Sequence, residues 1–192
     1  MKIGAVVLAA GKASRFGSPK QLLEIGGETL IDRACRTAIE AGCDPVLRVL
    51  GAHAEEILAR PCSRRVETLV HAGWEEGMGS SLAAGVSNLL GREPELEAVV
   101  VMLADQPMVT MGLLEEMRSR LSEASVVLCD HGDATGPPAL FGWQHFGELM
   151  ELRGDRGAKA VAANHHAVLV AFEDAAWDID SPEAWERFLE SQ

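Results

Sequence analysis

No aspartate or glutamate precedes Glu24, in a chain of 192 residues whose formal net charge is −12. Lys2, Lys12, Arg15 and Lys20 therefore have the opening to themselves, and a local positive field of this kind suits a small anion. The rest of the chain lacks an extended basic face, which argues against long DNA or RNA as a partner. Aromatic residues make up only 5%, and Trp74, Trp143, Trp177 and Trp185 form no ladder on which bases could stack; core or pocket wall is their expected place. Apolar runs are short as well. Ala98–Ala104 is among the longest and falls far below the ~20 residues of a membrane-spanning helix. The N-terminus also lacks the layout of a secretion signal, so a cytoplasmic location away from membranes is expected. Cys35, Cys43, Cys62 and Cys129 show neither C-x-x-C nor zinc-like spacing and read as buried or inert thiols. His53, His71 and His131 have no carboxylate or cysteine at a diagnostic spacing. His165 and His166 read as turn or surface, because adjacent strand side chains face opposite ways.

What is present is a regular alternation of strand-like and helix-like segments, with no repeat, linker or low-complexity tract. Ile3–Ala9, Pro45–Leu50, Val66–His71, Ala98–Leu103, Ser125–Cys129 and Ala167–Ala171 read as strands. Helical periodicity fits Leu30–Ala41, Ala54–Leu58, Ser80–Leu90, Gly112–Leu121 and Pro182–Leu189. The alternation predicts one domain over residues 1–192, with three α/β/α layers around a mostly parallel, twisted sheet. In such sheets ligands sit beyond the carboxyl ends of the strands.

Four motifs follow strands or precede helices. The first is Leu8-Ala9-Ala10-Gly11 and the loop carrying Lys12, Arg15 and Lys20. Small residues let backbone amides approach phosphate oxygens, Arg15 can grip an anion in bidentate fashion, and Lys20 can act as a point charge. Neither GxxxxGK[ST] nor GxGxxG is matched, so the P-loop and dinucleotide fingerprints are absent. The second is Asp105-Gln106-Pro107, where a hydrophobic strand stops at a carboxylate able to hold Mg²⁺ or, equally, to cap a helix. The third is Asp178-Ile179-Asp180-Ser181-Pro182: Ser181 and Pro182 read as a helix N-cap and first helical position, whereas Asp178 and Asp180 would share a face if extended. A glycine turn at Gly77–Gly85, with Gly79, Ser80 and Ser81 at a helix start, offers further free N–H groups.

In this order the motifs resemble the MobA-like nucleotidyltransferase family, and within it the molybdenum cofactor cytidylyltransferases. Besides those above, Gly136-Pro137-Pro138-Ala139-Leu140-Phe141 and Gly154-Asp155-Arg156-Gly157-Ala158-Lys159 carry the likeness. The resemblance implies a Rossmann-like, GT-A-like nucleotidyltransferase fold and Mg²⁺- or Mn²⁺-dependent transfer of a nucleotide from an NTP with release of pyrophosphate. It assigns Leu8, Ala9, Ala10 and Gly11 to the phosphate cradle, Arg15 to the β- and γ-phosphates, and Lys20 to the α-phosphate. Asp105 and Asp180 would hold the metal, with Arg15, Lys20 and Asp105 as the catalytic set. Gly79, Ser80 and Ser81 would lie near base or ribose, and Gly136, Pro137, Asp155 and Arg156 near the acceptor. The Leu-Ala-Ala-Gly form of the opening, set by Ala10, implies CTP; a molybdopterin acceptor and delivery to a molybdenum hydroxylase or its maturation factor follow from the same likeness. Phe16 replaces the family's usual Met and Pro137 its usual His, and the latter leaves another phosphorylated acceptor open. A non-catalytic nucleotide-binding accessory role is the remaining alternative.

Overall fold

The computed structural model describes residues 1–132, 134–172, 174 and 177–191. β1 (Ile3–Ala9) leads through a long loop to a small hairpin, β2 (Glu24–Ile25) and β3 (Glu28–Thr29), and then to α1 (Leu30–Glu40). β4 (Val46–Leu50), α2 (Ala54–Leu58), β5 (Val66–Val70), α3 (Met78–Arg92), β6 (Ala98–Leu103) and α4 (Met111–Ser119) follow. The second half adds β7 (Val126–Asp130), β8 (Thr135–Gly142), α5 (Phe146–Met150), α6 (Ala158–Ala162), β9 (Ala167–Ala171) and α7 (Pro182–Glu190). The main sheet has seven strands among the described residues, in the order β5-β4-β1-β6-β8-β7-β9, and β8 runs antiparallel to both of its neighbours. This is the three-layer, mostly parallel architecture expected from the alternation.

The strands' period of two divides the core into two layers. Ala5, Val7 and Ala9 of β1 point toward α1 and α4, joining Ile31, Leu113 and Met117. Val6 and Leu8 point the other way, toward Leu82 and Val86 of α3 and Leu149 of α5. Helix α3 lies so close to the sheet that a Cβ on Gly85 would stand 2.8 Å from Val6 and 2.9 Å from Val49. Full burial of each large apolar side chain stabilises the fold by about 1.5–3 kcal/mol.

Strand β8 departs from the sequence expectation, which had no strand there. Pro137 and Pro138 remove two amide donors and so resemble a turn. The structure accommodates them at a bulge: Leu128 pairs with Ala139 but Cys129 pairs with Gly136, leaving both prolines outside the ladder. α5 and α6, five residues each, also lie outside the segments that the sequence marks as helical.

Among the described residues no helix is long and apolar enough to cross a membrane. Cys35, Cys43 and Cys129 are buried and Cys62 half-buried, all as free thiols. Burial raises every one of these thiols, Cys43 to about 11 and Cys129 to about 12. A thiol whose pKa lies above the working pH holds little thiolate, the reactive form. At pH 8, iodoacetamide should therefore label the native protein slowly and at Cys62 first, with all four thiols reacting in denaturant; peptide mass mapping distinguishes this from rapid labelling at Cys35 or Cys129.

Candidate active site

The loop after β1 is held from two sides. Buried Gln21 donates through Nε2 to Ala9 O at 3.0 Å and Gly11 O at 3.1 Å, so the end of β1 cannot swing away from the turn at Lys20–Leu22. His53 Nε2 donates to Lys12 O at 2.9 Å, and Ala52 N donates to Ala10 O at 3.1 Å. Between these anchors Phe16 N closes onto Ala13 O at 2.9 Å. Ala13 has φ +49°, a left-handed conformation that costs a residue with a Cβ of order 1 kcal/mol. Arg15 is exposed at the tip and, among the described residues, its guanidinium pairs with no carboxylate.

β6 delivers Asp105 just beyond its carboxyl end, and the segment before α7 comes to meet it. Ile179 N donates to Asp105 O at 3.0 Å, while the Ile179 side chain is fully buried with Leu30 and Phe188, against Phe16 and Leu23. Anchoring the middle residue leaves Asp178 and Asp180 facing outward toward the site. Ser181 caps α7 by accepting from Ala184 N at 3.2 Å, as its sequence position predicts.

Lys20 joins the two carboxylates. Its Nζ lies 2.5 Å from Asp105 Oδ2 and 2.7 Å from Asp180 Oδ1. Burial works against the Lys20 charge, but Asp105 and Asp180 outweigh it and hold the ammonium above its ordinary pKa. Asp105 Oδ1 is buried with no hydrogen-bond partner among the described residues. Partial burial and the charges of Asp105 and Asp180 push the nearby Asp178 carboxyl up to about 6. A carboxylate oxygen left without a donor, beside a second carboxylate that already shares one cation, is the hard-oxygen environment that suits Mg²⁺ or Mn²⁺.

These groups line one cleft of about 610 Å³. Leu8 to Gly11, Arg15, Lys20, Ser81, Asp105, Asp155 and Asp180 are all on its wall, together with Trp74 and Met78. Gly79, Ser80, Gly136, Pro137 and Arg156 are not brought to that wall. Ser80 turns inward, where its Oγ donates to Gly73 O at 3.0 Å and meets His71 Nε2 at 2.8 Å. Arg156 lines a separate depression with Glu148 and Asn164, and Pro137 O accepts from Gln106 Nε2 at 3.1 Å, one residue from Asp105. Gly79 acts through its backbone instead. Its N–H donates to Gly154 O at 2.8 Å, and a Cβ there would stand 2.5 Å from Arg156 O. The two glycine motifs thus touch backbone to backbone, and that contact sets Asp155 into the cleft.

Sequence reasoning missed Gln21, His53 and His71 because each acts on backbone or on another side chain rather than on a ligand. The available signal for Gln21 was a polar residue between Lys20 and the apolar Leu22-Leu23 pair, which must bury its amide against something.

Fold and site define a nucleotidyltransferase: a cationic loop, a carboxylate pair and a helix start converge at the carboxyl edge of a Rossmann-like sheet. The chain belongs to the MobA-like NTP transferase family, whose domain matches residues 5–168. It is similar to purine catabolism protein PucB of Bacillus subtilis (strain 168), 31% identical over 193 residues covering 94% of this chain and 93% of that protein. It is also similar to nicotine blue oxidoreductase of Paenarthrobacter nicotinovorans, 36% identical over 129 residues that span 64% of this chain and only 61% of that protein. Among solved structures, Rv0371c of Mycobacterium tuberculosis H37Rv in complex with manganese superposes with a TM-score of 0.84 at 27% identity, covering 100% of each chain.

Proposed function

We propose that this protein, working as one domain over residues 1–192, transfers CMP from CTP to the terminal phosphate of a molybdopterin-type cofactor and releases pyrophosphate. The observation that carries the reading is the junction of Lys20 with Asp105 and Asp180 on the wall of a cleft that the Leu8–Gly11 turn also lines. An oxygen of the acceptor phosphate attacks the α-phosphorus in line as the bond to pyrophosphate breaks, so the protein's contribution is positioning and charge neutralisation. Arg15, exposed on the loop, takes the β- and γ-phosphates, and Lys20 stabilises the charge growing on the α-phosphate. The Leu8–Gly11 backbone borders the triphosphate and Ser81 faces the nucleoside. A Mg²⁺ or Mn²⁺ ion on Asp105 and Asp180 would supply electrostatic stabilisation of the phosphate oxygens, and the manganese complex of the similar Rv0371c structure supports divalent-metal use here. Asp155 is the acceptor-side group that reaches the cleft. Gly79 supports it, Ser80 supports the turn behind it, and Gly136, Pro137 and Arg156 act from outside the wall.

CTP as the donor rests on Ala10, and molybdopterin as the acceptor rests on the family likeness, with a molybdenum hydroxylase or its maturation factor receiving the product in the cytoplasm. The test is pyrophosphate release measured with each NTP, with and without molybdopterin. Release that needs both CTP and molybdopterin is the expected result, and Ala10→Gly should shift preference toward GTP. Release only with a different phosphorylated acceptor would move the substrate but keep the chemistry; tight NTP binding without release under any acceptor would replace the enzyme by the accessory role.

A further inference from the structure

The antiparallel course of β8 carries the chain from the cleft to the opposite end of the sheet, since Gly142 pairs with Ala98 at the start of β6. Strands of this length place that end roughly 20 Å from the carboxyl edge. There the turn after β8 presents His145, the first turn of α5 presents Glu148, and the loop before β9 presents His165. One ligand atom from each lies within 4.8 Å of the others. His165 Nε2 is 2.6 Å from Glu148 Oε1, and the two imidazole centroids are 4.3 Å apart.

His145 distinguishes this cluster from a surface ion pair. Its side chain is 94% buried, from a relative exposure of 6%, yet its Nδ1 has no hydrogen-bond partner among the described residues. Glu148 Oε1, at 3.7 Å, is beyond hydrogen-bond length. Its other nitrogen, Nε2, meets Ser125 Oγ at 2.8 Å. When Nε2 carries the proton and donates to Ser125, the lone pair of Nδ1 points into the space between Glu148 and His165, which is how a metal-binding imidazole is oriented by an outer partner.

We propose that His145, Glu148 and His165 form a second divalent-metal site, independent of the Asp105–Asp180 pair, that takes a transition ion of the zinc class. Two imidazoles and one carboxylate suit zinc and its neighbours rather than Mg²⁺. Donor atoms on a tetrahedral ion lie about 3.3 Å apart, a separation that modest rotations of the partly exposed His165 and Glu148 reach. The side chains of these two residues are 31% and 41% exposed, which leaves the fourth position to water. A bound ion would fasten α5 to the loop entering the edge strand β9, at a distance from nucleotide chemistry.

The experiment is calorimetric titration of metal-free protein with Zn²⁺, with Mg²⁺ in excess to occupy the carboxylate pair, followed by thermal melting of the loaded protein. One Zn²⁺ per chain is expected, with His165→Ala and Glu148→Gln each weakening binding at least 100-fold, and Ser125→Ala weakening it about 10–100-fold. Asp105→Asn should leave zinc binding unchanged. At 100 times its Kd, zinc should raise the melting temperature by roughly 5–10 °C, a shift that His165→Ala abolishes. Absence of zinc binding to the wild type, zinc binding that survives His165→Ala, or zinc binding lost in Asp105→Asn would each overturn the proposal.

Discussion

Replacing Lys20 by Ala should lower the turnover of nucleotidyl transfer by roughly 10²–10³, the usual consequence of deleting one preorganised charge from a transition-state site. Its ammonium sits within 2.7 Å of both Asp105 and Asp180. Removing it leaves carboxylates facing each other without their shared cation and removes the charge assigned to the α-phosphate. Asp105→Ala should cost a similar factor by a different route, because it removes the buried oxygen that lacks a donor and with it half of the carboxylate pair. Neither change touches the two apolar layers that hold the sheet, so far-UV circular dichroism should stay native. Lys20→Arg should recover only part of the loss, since a planar fork cannot occupy the point between two carboxylates as a compact ammonium does. Single-turnover kinetics with Mg²⁺ would check this, and near-normal transfer by either alanine variant would remove the assignment.

Gly79→Ala should destabilise the protein by about 1–3 kcal/mol, the range for forcing atoms into a packed site. A Cβ there would stand 2.5 Å from Arg156 O and 2.9 Å from Gly154 O. Both obstacles are backbone, so neither can rotate aside. The loop must move, and Asp155 moves with it, so a loss in kcat/KM should accompany the lower melting temperature. Gly91→Ala is the matched control in the same helix: nothing lies within 4 Å of its Cβ position, and it should stabilise by about 0.5–1 kcal/mol. Equal melting temperatures for the two variants would show that the backbone contact between the glycine motifs bears no strain.

The parts of this molecule legible in its sequence are those governed by local physics. Val- and Leu-rich runs gave β1, β4 and β6 within a residue of their observed limits, because buried parallel strands need continuous apolar residues. Ser181 announced the start of α7 through capping chemistry. Arg15, Lys20, Asp105 and Asp180 stood out in the sequence as a cationic loop after β1 and carboxylates beside a strand end and a helix start, and all four line the cleft. What depends on long-range contact stayed hidden. β8 was left unassigned because Pro137 and Pro138 interrupt its ladder at a bulge, and Ser80 looked like a ligand group until His71 and Gly73 claimed its hydroxyl. His165 does lie in an exposed turn, as read, but its neighbours His145 and Glu148, 20 and 17 positions away in sequence, could not be inferred locally.

Ile179 is enclosed by Leu30 and Phe188, residues from opposite ends of the polypeptide, and this has a consequence for synthesis. A growing chain can assemble its first parallel strands while still attached to the ribosome, but Asp180 has no fixed place until the stretch through Phe188 has left the exit tunnel. The Asp180 carboxylate therefore takes its place beside Lys20 only after α7 has folded back onto α1.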